Sequence, residues 1–544
     1  MSEGNAGRCA GGGAGTAAAV LVAVLLSIVP AMLVRIPPVL DYPNHYVRLW
    51  LLTGGVDHPP LSQIYAVDWS RASTNIAMDL VAVGLAGIVP LGVIAASMLA
   101  LAIALPPLGV ALLGRQVFGA FHWWHVACFV LAWNWVLLAG FVNFEISLGL
   151  ALVGAALDLR LAKHGAAVLV PLRIVMGGVV LVAHAFGFLF YAALLGGLAL
   201  GPALAPLLSP GAGGRAVLRA VLTCLPLAAP VLLLLLLAPT LPGETGDAPP
   251  SAIVWQERSV FAYVSTLLTG LKTYRFSVDI VFGLLLAAPV LAALFLGRLR
   301  AHAGLLVTGV VLTIGAILMP RAILDSGGIE TRLPCMVALT FAVAVLPDLR
   351  LPRRWATVAA AAAVLVVAGR AGWIGRIWVD RQSDIASVDR ALAHVPPGAA
   401  VLPLEHLLAA ADVARAPLGR FFGSRTPTYW HYPTLAIMER RAFVPHLFTI
   451  AGKQPLRVLP PWDAISVPEG PLAPVDKLGD PSTLAGPYLG RWRECFDYIL
   501  VVNADMPNAG GPLPASPAIA PVADEGFARL YRIDRPGAGP AACG

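Results

Sequence analysis

Asp41-Tyr42-Pro43-Asn44-His45-Tyr46-Val47-Arg48 is the stretch on which the reading of this chain turns. It follows an apolar run from Ala17 to Ile36, long enough to cross a bilayer as a helix. Pro37-Pro38 stands between the two. Proline has no amide donor and clashes with the turn before it, so the helix stops there. A carboxylate, an amide, an imidazole and a guanidinium then arrive together at the edge of a membrane. Lipid makes such groups expensive, so their concentration asks for a chemical reason. The bland alternative is a solvated loop in which Asp41 caps an interfacial helix.

Working outward, the rest of the chain is apolar as well. Of 544 residues 58% are hydrophobic and 12% charged, about half the charged share of a soluble domain. The fold class expected is a polytopic α-helical membrane protein with about eleven transmembrane helices and a small C-terminal extracytoplasmic α/β domain. The first span follows a leader holding one arginine, Arg8, and no clean cleavage site follows, so it reads as an uncleaved helix. The other apolar runs lie near Gly92–Leu113, Trp123–Gly140, Ile146–Leu161, Val168–Phe190, Tyr191–Leu208, Val217–Ala238, Val278–Leu296, Ala303–Met319, Leu333–Leu346 and Ala356–Trp373.

Charge arbitrates the count. The net charge of +7 lies entirely in the first 373 residues, since the remainder holds 16 basic and 16 acidic residues. With eleven spans and a cytoplasmic N-terminus, twelve basic residues against three acids fall on the cytoplasmic side, among them Arg115, Arg160, Arg173, Arg215, Arg219, Arg298, Arg300, Arg353 and Arg354. A twelfth crossing at Ile76–Pro90 would reverse that bias, so this stretch, with Asp79 inside it, reads as an interfacial helix. The membrane part is thus residues 1–373, with a first external loop at 37–75, the interfacial helix at 76–90 and a second external loop at 239–277. Residues 374–544 form the external domain. Such a basic excess belongs to topology, and no basic-aromatic stripe points to nucleic acid.

The tail changes character. Trp378–His394 reads as a polar helix ended by Pro396-Pro397-Gly398, and Ala399–Leu404, Tyr498–Val502 and Phe527–Ile533 read as buried strands. Tyr429-Trp430-His431-Tyr432, with Arg440-Arg441 and Pro445-His446, makes an aromatic and basic patch that suits sugar stacking or the domain's own core. Cys495 and Cys543 share this domain and are either a disulfide or two free thiols.

One inside-to-outside helix, an external loop opening with an acid, and many further spans resemble the GT-C superfamily of membrane glycosyltransferases. The resemblance rests on Asp41-Tyr42-Pro43-Asn44-His45 after the first span. It rests also on Leu112-Leu113-Gly114-Arg115-Gln116-Val117-Phe118-Gly119, similar to the arginine and Phe-Gly turn after the second span in those enzymes. The architecture intended is that of protein O-mannosyltransferases and aminoarabinose transferases. The resemblance implies an inverting transferase that moves a sugar from a polyprenyl-phosphate donor to a glycan, lipid or protein acceptor at the outer face of a bacterial inner membrane. Many relatives carry a second acid beside the first. Here the next acids are Asp57 and Asp68, so no cofactor and no metal ligand set is indicated, and a divalent ion is left open.

That chemistry needs a carboxylate within reach of the acceptor hydroxyl, and Asp41 is the candidate base. His45, four residues on, shares its helical face and would bond the carboxylate or a sugar hydroxyl. Arg48 and Asp68 are further candidates for substrate binding in the same loop. A departing lipid phosphate needs cations. Arg332 and Arg321 bracket one short outer loop and would close on it, or else anchor at headgroups or pair with Asp325 or Glu330. Asn143, Glu145 and His184 lie near the outer ends of spans, where they would line a groove or bond one another between helices. Two other classes stand against the enzyme. One is a secondary transporter or lipid flippase using Glu145, His184 and Asp158 as an ion path. The other is a non-catalytic scaffold for envelope polysaccharide assembly.

Overall fold

The computed structural model describes residues 14–201, 212–237, 255, 259–323, 326–423, 425–480 and 487–534. In chain order its principal helices are α1 (Ala14–Leu33), α2 (Tyr42–Leu52), α3 (Ala77–Gly84), α4 (Leu91–Phe118), α5 (Trp123–Ala127), α6 (Trp135–Ala139), α7 (Val142–Leu161), α8 (Ala166–Ala183), α9 (Ala185–Leu200) and α10 (Ala212–Cys224). They continue with α11 (Ala228–Leu237), α12 (Val260–Leu267), α13 (Phe276–Phe295), α14 (Ala303–Leu318), α15 (Arg332–Ala344), α16 (Arg353–Asp380) and α17 (Gln382–Leu392).

Seven helical segments among the described residues are long and apolar enough to cross a membrane, and four shorter apolar ones accompany them. The shortfall against eleven has local causes. The run Trp123–Gly140 is broken because Asn134 leaves the helix and its side chain accepts the Leu137 amide at 3.0 Å, starting α6 afresh. The run Val168–Phe190 is broken at His184, whose extended backbone ends α8 and whose Nδ1 accepts the Phe186 amide at 3.1 Å to start α9. Part of Tyr191–Leu208 and about half of the second external loop fall outside the described residues. At eight residues, α3 rises only about 12 Å, too short to cross the hydrocarbon layer. In the second loop, α12 exposes the apolar side chains of Val260, Phe261 and Val264.

The expected boundary at residue 373 falls inside α16, which runs unbroken to Asp380 and leads into α17. Beyond it lies a five-stranded sheet, ordered Ala473–Pro474, Val401–Glu405, Tyr498–Val502, Ala528–Ile533, Ile519–Asp524. The first three strands are parallel and the last two antiparallel to their neighbours. Val401–Glu405 and Tyr498–Val502 are almost fully buried, as apolar runs flanked by turn residues require. Cys495 is disulfide-bonded, and Cys543, read from the sequence as either its partner or a free thiol, lies outside the described residues.

The first loop is stitched to this domain. Tyr65–Val67 pairs antiparallel with Leu456–Val458, and α2 packs on the short helix Leu435–Arg440. One core therefore runs without interruption from Val39, Tyr42 and Val47 through Ile374 and Trp378 to Val401, Tyr429 and Leu500. The two ends of the helix bundle differ in chemistry. The C-terminal domain sits where α7, α9 and α15 begin and α8 and α14 end. Arg115, Arg160, Arg215, Arg353 and Arg354 lie at the opposite ends of their helices, and Arg298 follows the end of α13.

Candidate active site

The site begins where Pro37-Pro38 turns the chain across α6. The amides of Leu40 and Asp41 donate to the carbonyls of Leu138 and Ala139 at 2.9 and 3.1 Å, which fixes the start of α2 against the membrane helices. Gly140 makes the approach possible. Its φ is +95°, and a Cβ there would stand 2.6 Å from the Asp41 Cβ. Asp41 occupies the N-cap position of α2, yet its side chain caps no amide. It points instead to His431 of the C-terminal domain, whose Nε2 lies 3.5 Å from Asp41 Oδ1. Burial raises the carboxyl above its ordinary range, and His431 partly opposes that rise.

Asn44 sets the tautomer of His431. Its amide nitrogen donates to the His446 carbonyl at 2.9 Å and faces His431 Nδ1 at 3.3 Å, while its oxygen accepts the Phe448 amide at 3.0 Å. With Nδ1 as acceptor, the ring proton of His431 sits on Nε2, toward Asp41.

A cavity of about 450 Å³ opens at Asp41 on the seam between the bundle and the C-terminal domain. Its bundle wall is largely apolar, with Phe141, Val142, Phe186, Leu189 and Met319. Its opposite wall carries Phe448, Lys453, Gln454 and Glu469. Arg332 enters from the start of α15, its guanidinium 4.7 Å from the centre of the Phe141 ring and 5.4 Å from that of Phe186. Its Nε has no hydrogen-bond partner among the described residues. Across the cavity Lys453 is held by Glu469 at 2.8 Å.

Of the residues singled out from sequence, Asp41, His45, His184 and Arg332 line this cavity and the others do not. His45 does so as a fixed neutral ring. Its Nδ1 accepts from Arg48 at 3.1 Å, which leaves Nε2–H to donate to the Gly140 carbonyl at 3.1 Å. Burial and the adjacent guanidinium hold its pKa well below the usual histidine range. It therefore braces the Gly140 corner, and the partner of Asp41 is His431. Arg48 is wholly buried in a two-pronged pair with Asp79 of α3, at 2.8 and 3.1 Å, and touches no open space. Asp68 faces outward, where it caps a short turn through the Ser70 amide at 3.1 Å. Asn143 ties α7 to the start of α3, donating to the Asn75 carbonyl at 2.6 Å and accepting the Met78 amide at 3.0 Å. Glu145 accepts from Asn134 at 2.9 Å and closes the break before α6. Arg321 is exposed away from the cavity, so the two loop arginines do not converge. Arg332 forms no ion pair with Glu330 among the described residues, and Asp325 lies outside them.

Sequence reading gave His431 only as part of an aromatic patch, and it gave no notice of Phe448, Lys453, Gln454 or Glu469. Tyr429 and Tyr432 of that patch are core, packed on Phe527. Among the described residues no group of three or more His, Cys, Asp or Glu side chains is arranged to hold a metal ion. No protein-family model matches the chain, and neither a curated protein nor a solved structure does.

Proposed function

We propose that this chain is an inverting GT-C-like glycosyltransferase of a bacterial inner membrane, with about eleven spans, a cytoplasmic N-terminus and the C-terminal domain outside. It would take its sugar from a polyprenyl-phosphate donor and pass it to a glycan, lipid or protein acceptor. The observation that carries the reading is that Asp41 and Arg332 line one cavity, at the seam of an apolar bundle and a polar domain.

In the reaction the acceptor oxygen forms a bond to the anomeric carbon as the bond from that carbon to the phosphate oxygen breaks. Asp41 takes the hydroxyl proton during attack, and its desolvated carboxylate is a stronger base than one in water. The His431 Nε2–H fixes the orientation of that carboxylate. Negative charge develops on the departing lipid phosphate, and Arg332 steadies it. The phenyl rings of Phe141 and Phe186, with Leu189 and Met319, suit a lipid-bearing substrate.

Of the two helix breaks described above, the one at His184 opens on the cavity and favours a carrier, because transporters bind at broken helices. The break lies at an end of the bundle and not at mid-depth, which supports the transferase. The test is Asp41→Asn in the purified chain and in cells deleted for it. Transfer should fall roughly a hundred- to ten-thousandfold, the part a positioned base contributes. Membrane insertion and thermal stability should be kept. Mass spectrometry of envelope glycans and lipids should show one product missing in both the deletion and the variant. Normal products in the variant would remove Asp41 from the reaction.

A further inference from the structure

At the arginine-rich end of the bundle, remote from the cavity, a second pocket of about 350 Å³ lies between α8 and α10. Arg173, Arg215 and Arg219 line it with Leu218, Leu222 and Thr223, and no acid does. Arg173 is committed to Asp158 of α7, through Nε at 2.7 Å and Nη2 at 3.1 Å, so that this pair is neutral and rigid. Arg215 and Arg219 are different. They are exposed, stand one turn apart on the same face of α10 and form no ion pair among the described residues. Two guanidiniums with no ion pair among the described residues thus line one open recess together with a third that is held by an acid.

The depth of the site says what fits it. Arg173 and Arg219 each stand seven residues into their helices, about 10 Å along the axis. The neighbouring Val217, Leu218, Val221, Leu222 and Leu225 are more than half exposed, which in a membrane helix means contact with acyl chains. Anchoring arginines that only snorkel need no recess and no third guanidinium clamped in place. A phosphate diester carrying two acyl chains satisfies both halves of the surface: its oxygens accept from the guanidiniums and its chains lie along the leucines.

From this geometry we infer that the recess between α8 and α10 is a binding site for the headgroup of an anionic phospholipid. The site is separate from the cavity at Asp41 and does not depend on what happens there.

The full chain, reconstituted in nanodiscs with equal amounts of phosphatidylglycerol and phosphatidylcholine, is released into detergent and weighed by native mass spectrometry. Phosphatidylglycerol should be retained over phosphatidylcholine. The double variant Arg215→Ala/Arg219→Ala, both exposed positions, should lower that preference about thirtyfold. Arg353→Ala/Arg354→Ala, at the same end but outside the recess, should leave it unchanged. Equal retention of the two lipids overturns the inference, as does an equal loss in both double variants, which would reduce it to general surface charge. Displacement by inorganic phosphate alone, with no phospholipid retained, also overturns it in favour of a free-anion site.

Discussion

His431 holds its Nε2 3.5 Å from Oδ1 of Asp41, so the proposed base is oriented by a residue from the far side of the domain seam. Asn44, three residues beyond Asp41, fixes the same imidazole from its other nitrogen. The acid and its orienting ring are thus joined through α2, and neither domain holds the arrangement alone.

His431→Ala tests that link. His431 opposes the rise that burial imposes on the Asp41 carboxyl, so its removal should push the carboxyl higher still. The acidic limb of the rate profile, where Asp41 takes up its proton, should therefore move to higher pH. The maximal rate should fall about tenfold, less than in Asp41→Asn. Rates measured from pH 5 to pH 8 decide the matter. A fall with no movement of the limb would make His431 a packing residue and no more.

A buried pair in the same region predicts stability instead of activity. Arg48 and Asp79 are both fully buried and joined at 2.8 Å. Asp79→Asn leaves a buried guanidinium without its counter-charge and should destabilise the chain by about 3–5 kcal/mol. Replacing both, as Arg48→Met/Asp79→Leu, should recover most of that loss. Thermal unfolding in detergent of Arg48→Met, Asp79→Leu and their combination measures the coupling. Additive effects would show that the pair contributes nothing.

These two pairs also mark how far the sequence could be read. Pro37-Pro38 and the apolar runs at 401–405 and 498–502 were legible because local chemistry sets them: a missing amide donor, or side chains that only a buried strand accommodates. The breaks at Asn134 and His184 were not, because each depends on one polar side chain inside an evenly apolar run. In the site, Asp41 and Arg332 were legible as charges at span ends, where lipid makes them stand out. Arg48 stood out for the same reason but is spent on Asp79, a partner 31 residues away. His431, Lys453 and Glu469 lie on loops whose contacts with the cavity are all long-range, and no periodicity announces those.

Glu405 supplies a pH prediction for the C-terminal domain. It ends the strand Val401–Glu405, is 2% exposed, and accepts from Trp430 Nε1 at 3.1 Å on both oxygens. Burial pushes its carboxyl up to about 7, against roughly 4.3 in an unfolded chain. The folded state therefore holds the proton more tightly. Its contribution to stability is complete below the unfolded value and is lost as pH rises toward 7. The domain should unfold at a lower temperature at pH 8 than at pH 5, and Glu405→Gln should flatten the difference. Heating at the two pH values, followed by circular dichroism in the wild type and in the variant, is the readout. An unchanged slope in the variant would assign the pH dependence to another group.

Arg332 is the remaining half of the proposed chemistry, and its packing dictates how it must be tested. Phe141 and Phe186 grip the guanidinium, so Arg332→Ala removes both a charge and the filling between two rings. Arg332→Lys retains the charge and most of the stem but loses the planar fork. If the side chain steadies a phosphate, a charge-assisted hydrogen bond worth about 1.5–3 kcal/mol is at stake. The alanine variant should then lose about ten- to a hundredfold in kcat/KM for the polyprenyl-phosphate sugar. Lysine should recover part of it. A residue that merely packs gives a different pattern: alanine and lysine would be equally stable-compromised, with transfer per folded molecule unchanged. Kinetics normalised to folded protein therefore separate the two roles, and an unaltered kcat/KM in both variants would leave the cavity without its phosphate-stabilising cation.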